Sequence, residues 1–102
     1  MTVTSDLIVF GSLTGSGTQD TIRTAVGTEY VTISFYNYSG STRTLSIWVN
    51  TVADANLLLS AASLLTKESI VLELKLGAGD LVKAEASAGS AINAIVELDS
   101  LT

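Results

Sequence analysis

The stretches EYVTISFYN (29–37) and RTLSIWVN (43–50) decide how this chain is read. In the first, Val31, Ile33 and Phe35 alternate with Tyr30, Thr32, Ser34 and Tyr36. In the second, Leu45, Ile47 and Val49 alternate with Thr44, Ser46 and Trp48. A strict period of two, carried by β-branched and aromatic residues, predicts two half-buried strands with their aliphatic faces on the core. The intervening YSGS reads as a three-residue turn, Ser39 to Ser41, with Gly40 supplying a positive φ. That turn predicts a hairpin with Phe35 opposite Leu45 and Ile33 opposite Ile47, which aligns the two apolar faces.

Working outward, the same period returns three times. SIVLELKL (69–76) points Ile70, Leu72, Leu74 and Leu76 one way, and Gly77-Ala78-Gly79 breaks it. DLVKAEAS (80–87) places Val82, Ala84 and Ala86 inward, and SAINAIVEL (90–98) does the same with Ile92, Ala94, Val96 and Leu98. Thr21 to Thr24 reads as a short strand. The segment 52–66 fits either a helix capped by Asp54 or a loop followed by a strand over Leu57 to Ala61, and its all-β surroundings favour the strand. Leu7 to Phe10 is a short apolar run, and GSLTGSGTQD (11–20) reads as a loop, so residues 1–20 are expected to form an extended arm or loop. About eight short strands at regular spacing predict an all-β antiparallel sandwich forming a single domain, 1–102.

Composition narrows the chemistry. The chain has 102 residues, no cysteine and no histidine. Disulfides, thiolate metal sites and Ser-His-Asp or Cys-His nucleophiles are therefore excluded. Neither a cofactor nor a metal is expected, and neither is an enzyme activity. Net charge is −5 with only five basic residues, so no basic patch is available to neutralise nucleic-acid phosphates. Charged residues make up 15%, against about a quarter in ordinary soluble domains. A surface so poor in charge points to a chain partly covered by other protein. MTVTSD lacks the basic start of a secretory signal, Leu7 to Phe10 is too short for its apolar core, and no apolar run approaches the roughly 20 residues that span a bilayer. No membrane partner is expected.

Three groups of residues invite a chemical reading. Glu73 and Glu85, placed on solvent faces of neighbouring strands, could form a general acid–base pair. Lys75 and Lys83 are interleaved with them, which points to solvated cross-strand ion pairs instead. Gly11, Gly15 and Gly17 form a glycine-rich stretch without the GK[ST] or helix start that a phosphate cradle needs. Asn37-Tyr38-Ser39 matches a glycosylation acceptor, but Asn37 at a strand end is better suited to satisfying turn backbone groups. The aromatic residues Tyr30, Tyr36 and Trp48, with Tyr38 just past the strand end, fall opposite the aliphatic face. Large amphipathic rings there serve as interface anchors, pack within the chain, or stack on a sugar-like ligand, and subunit contact leads these readings.

The string TEYVTISFYNYSGSTRTLSIWVN (28–50), followed by SIVLELKLGAGDLVKAEASAGSAINAIVEL (69–98), resembles small tailed-phage virion proteins with a jelly-roll fold. That group includes capsid decoration (cement) proteins and related head and tail accessory proteins. Asn37, Ser39, Gly40, Gly79 and Asp80 fall on the family's strand-end and turn positions. Thr24-Ala25-Val26-Gly27 and Leu65-Thr66-Lys67-Glu68 stand where relatives often carry Pro-Ala-Gly-like turns. The resemblance implies a jelly roll, in which Glu73 and Lys83 are not ladder neighbours. It also implies a capsid decoration protein on the virion surface, made in the host cytoplasm. A dimer or trimer of the chain would sit on the major capsid protein and stabilise the head. A tail or head-fibre accessory protein is one alternative. A carbohydrate-binding module with Tyr30, Tyr36 and Trp48 as its platform is the other.

Overall fold

A strand that buries one face becomes legible as alternation, and five of the eight strands here do so. The computed structural model describes residues 3–101. Its strands are β1 (Val3–Ser12), β2 (Asp20–Thr24), β3 (Glu29–Asn37), β4 (Arg43–Val49), β5 (Leu57–Leu64), β6 (Ser69–Leu76), β7 (Leu81–Ala86) and β8 (Ile92–Leu101). A single 3₁₀ turn, Asp54–Asn56, precedes β5. The strands form two antiparallel sheets in the orders β1-β8-β3-β6 and β2-β7-β4-β5. Every connection except β4 to β5 crosses between sheets, and this double Greek key is the jelly roll.

The expected inward faces hold, except that Val49 at the end of β4 is only half-buried. Val31, Ile33, Phe35, Leu45, Ile47, Val82, Ala84, Ala86, Ile92, Ala94, Val96 and Leu98 are all buried in one core cluster. On β6, Leu76 is buried while Ile70, Leu72 and Leu74 pack against the core half-covered, as befits a strand at a sheet edge. Because β6 pairs with β3 and β7 pairs with β2 and β4, Glu73 and Lys83 are in different sheets, as the jelly-roll resemblance implies.

The β3–β4 hairpin does not form. β3 pairs with β6 and β8, and β4 pairs with β5 and β7, so residues 38–42 carry the chain from one sheet to the other. Phe35, Ile33, Leu45 and Ile47 meet in the core and not across a ladder. Nor does Gly40 take a positive φ. A local hairpin would have spent one edge of each strand on the other. The long-range pairing gives both strands two neighbours and buries both apolar faces in a common interior.

The N-terminal arm is also corrected. Residues 3–12 are the edge strand β1, paired with β8 from Val3↔Leu101 to Ser12↔Asn93 with one register shift between Val9 and Gly11. Only the stretch after Ser12 remains a loop. The segment 52–66 resolves as the 3₁₀ turn and the strand β5, which runs three residues beyond the expected Ala61. Its alternation was hidden by two register shifts against β4, and Ala61 takes a positive φ of 44°.

Candidate interaction surface

The outward residues of β3 stand on the exposed face of the β1-β8-β3-β6 sheet. Tyr30 lies between Lys75 of β6 and Asp99 of β8. Tyr36 lies between Ser69 and Asn93. Between the rings, Ser34 is flanked by Val71 and Ile95, both exposed, so two apolar side chains stand on either side of a small polar one. Leu7 of β1 stands one row away, opposite Glu97 and 69% exposed. The Lys75 ammonium sits 5.7 Å from the Tyr30 ring centroid, a cation–π contact on an exposed face.

Trp48 is elsewhere. It projects from β4 in the other sheet, half-buried between Lys83 of β7 and Leu57 of β5. Tyr38 is half-buried at the end of β3, and its hydroxyl is hydrogen-bonded to Ser12 Oγ at 2.6 Å. The four aromatic residues therefore do not share a face. The expectation failed with the hairpin that supported it: once β3 and β4 belong to different sheets, the same outward parity sends their rings to opposite sides of the sandwich. For the same reason Glu73 and Glu85 are not on neighbouring strands.

The buried polar groups have structural partners. Glu29 is fully buried, and its carboxylate accepts from Arg23 Nε at 2.9 Å, Arg23 Nη2 at 2.5 Å and the Val26 N–H at 3.2 Å. The Arg23 guanidinium, aided by the Val26 N–H, holds the Glu29 carboxyl below the usual carboxylate range against the opposing effect of burial. The hydrogen bond to Glu29 in turn raises Arg23. Sequence reasoning missed this pair, yet its signal was present. Glu29 shares inward parity with Val31, Ile33 and Phe35, and a charge on a core face requires a partner.

Asn37 is fully buried and saturated. Its amide donates to the Ser41 and Leu64 carbonyls at 2.9 Å each, and its Oδ1 accepts from the Ser39 N–H and hydroxyl. This is the strand-end role expected of it. The glycine-rich loop also serves the fold. The Glu85 carboxylate accepts from the Gly17 N–H at 3.0 Å and from Gln19 Nε2 at 2.6 Å, and both contacts lower its pKa. At Gly15 an added Cβ would stand 2.7 Å from the Gly89 nitrogen, so these two loops meet backbone to backbone. No cleft opens among the described residues, and no cluster of acidic side chains there could hold a metal ion.

No protein-family model matches the sequence, and no curated protein matches it significantly. Among solved structures, the chain is similar to a protein of the Bacillus endospore appendages, described as disulfide-linked pili. The TM-score is 0.59 at 14% identity over 96% of this chain and 86% of that one. It also aligns with a family 35 carbohydrate-binding module from Clostridium thermocellum (TM-score 0.49, 16% identity, 94% and 90% covered). A third alignment is to an exo-β-1,3-galactanase from Phanerochaete chrysosporium (TM-score 0.35, 16% identity, 95% and 29% covered). None of the three is a phage virion protein. At these identities the appendage likeness establishes the fold alone, an antiparallel β-sandwich.

Proposed function

We propose that this chain is a structural subunit of a larger protein assembly, without catalytic activity. The observation that supports this reading most directly is the apolar character of its outer surface. Val71, Ile95 and Leu7 stand exposed beside Tyr30 and Tyr36 on one sheet face, on a chain whose carboxylates are spread or structurally engaged. Exposed aliphatic and aromatic groups in this number belong to a surface that another protein covers.

The particular assembly we favour is the phage capsid, with the chain as a decoration protein seated on the major capsid protein. Support for that setting comes from the sequence resemblance. A tail, head-fibre or pilus-like subunit is the second reading, favoured by the fold likeness to an appendage protein. The chain itself contributes no cysteine, so any filament it built would not be disulfide-linked through it. A three-ring sugar platform draws no support, because Tyr30 and Tyr36 occupy one sheet and Trp48 the other.

Quantitative mass spectrometry of particles purified from the source culture tests the choice. A copy number comparable to the major shell protein supports decoration. A few copies per particle support the tail or fibre reading. Complete absence from particles overturns the virion role.

A further inference from the structure

A sandwich made of two open sheets has four edge strands, each with one row of backbone N–H and C=O groups that no strand of this chain pairs. Such edges are templates for association unless they are short, bulged, charged or covered. Three of the four are blunted here. β2 is five residues long and interrupted by a register shift between Thr21 and Arg23. β5 is broken twice in register against β4, and Ala61 takes a positive φ in its middle. β6 alternates Glu73 and Lys75 on its solvent face.

β1 is the least protected of the four: its one register shift, between Val9 and Gly11, falls near its end and leaves the rest of the strand regular. It is ten residues long, contains no Pro, Lys or Arg, and carries a single charge, Asp6. From Val3 to Val9 it pairs with β8 without a shift, so its outer edge is straight over that length. Exposed apolar side chains stand on both of its faces, on the inner one beside Asp6. Leu7, opposite Glu97, points outward and is 69% exposed. Ile8, opposite the buried Val96, points inward yet is 38% exposed, and Phe10 is 39% exposed.

We infer that β1 pairs antiparallel with β1 of a second copy of this chain, joining the two β1-β8-β3-β6 sheets into one eight-stranded sheet. The inference deepens the reading of the chain as an assembling subunit and rests on it. An antiparallel pair about a two-fold axis is isologous: the same strand supplies both sides, and the contact closes at two copies. In such a pair each residue faces one of the same parity. With the axis at Leu7, Leu7 meets its own copy on the outer face, and Asp6 faces Ile8 of the other chain. With the axis at Ile8, Ile8 meets its own copy and Asp6 lies farther still from its counterpart. Only a pair centred on Asp6 sets the two carboxylates directly opposite each other, a destabilising arrangement. β1 is thus the edge on which a chain of net charge −5 can meet itself with almost no charge at the seam.

Sedimentation equilibrium of the full chain over a concentration series tests this, with single cysteines as a second measurement. The expected result is a species of twice the monomer mass. The double variant Leu7→Lys with Ile8→Lys abolishes it while retaining the β-sheet circular dichroism spectrum. The double variant Val71→Lys with Ile95→Lys, on the face of the same sheet, leaves it intact. Because the chain has no cysteine, Leu7→Cys or Ile8→Cys can oxidise only between copies. At a two-fold axis the Cα separation of facing strand residues falls within disulfide reach. One of these two variants should form a covalent dimer readily, and Ser46→Cys on the other sheet should not. A monomer throughout the series overturns the proposal even where the protein still binds its particle. So does a dimer that survives the two edge lysines, or an open-ended series of oligomers.

Discussion

β1 and β3 belong to the same sheet, separated only by β8, and their sequences could hardly look less alike. β3 lies between two partners and under a second sheet, so every other side chain is buried and the pattern is strict. β1 has one partner, and apolar residues stand exposed on both of its sides, so no period appears. The contrast is sharpest at two acids. Glu29 on β3 and Asp6 on β1 both occupy inward positions, the first opposite Leu76 and the second opposite Leu98. Glu29 is fully buried and requires Arg23, whereas Asp6 is exposed. A strand face does not by itself decide the energetics of a side chain; the cover over it does.

Five substitutions and one titration would break or sharpen that comparison. Glu29→Ala should cost the most, about 3–5 kcal/mol, because it strands a guanidinium that folding has taken out of water. Asp6→Ala, at the same parity, should change stability by less than about 0.5 kcal/mol. Comparable losses in urea melts would show that β1 is covered as β3 is. Ile33→Ala should cost about 2–4 kcal/mol, since it empties a fully buried site on a strand with two neighbours. An equal loss from Leu7→Ala would contradict the exposure of β1.

Acid should act through β3 as well. The Glu29 carboxyl is held below its unfolded value, so its contribution is fully present above an unfolded pKa of about 4.3 and is lost as pH falls through the lower folded value. Glu29→Gln should flatten the acid limb of stability against pH, measured by denaturant melts. The smallest effect belongs to another edge strand. Ala61 holds a positive φ of 44° in β5, and Ala61→Gly should stabilise by about 1 kcal/mol by relieving it. A loss there would mean that the bulge depends on the alanine methyl.

What could be read directly was whatever one-sided burial writes into a chain. The strands β3, β4, β6, β7 and β8, most of their inward residues and the strand-end role of Asn37 all followed from alternation and residue type. The edge strands β1 and β5 were obscured, because open cover and bulges erase the period of two. Partner choice lay beyond local pattern altogether. Val31, Ile33 and Phe35 fit equally well beside β4 in a hairpin or beside β6 and β8, since each arrangement buries the same face. Only the tertiary structure decided that β3 and β4 would belong to opposite sheets, sending Tyr30 and Tyr36 to one side of the molecule and Trp48 to the other. The physical reason is that side-chain parity is a local property of a strand, whereas the direction in which a face points depends on which distant strands complete its sheet.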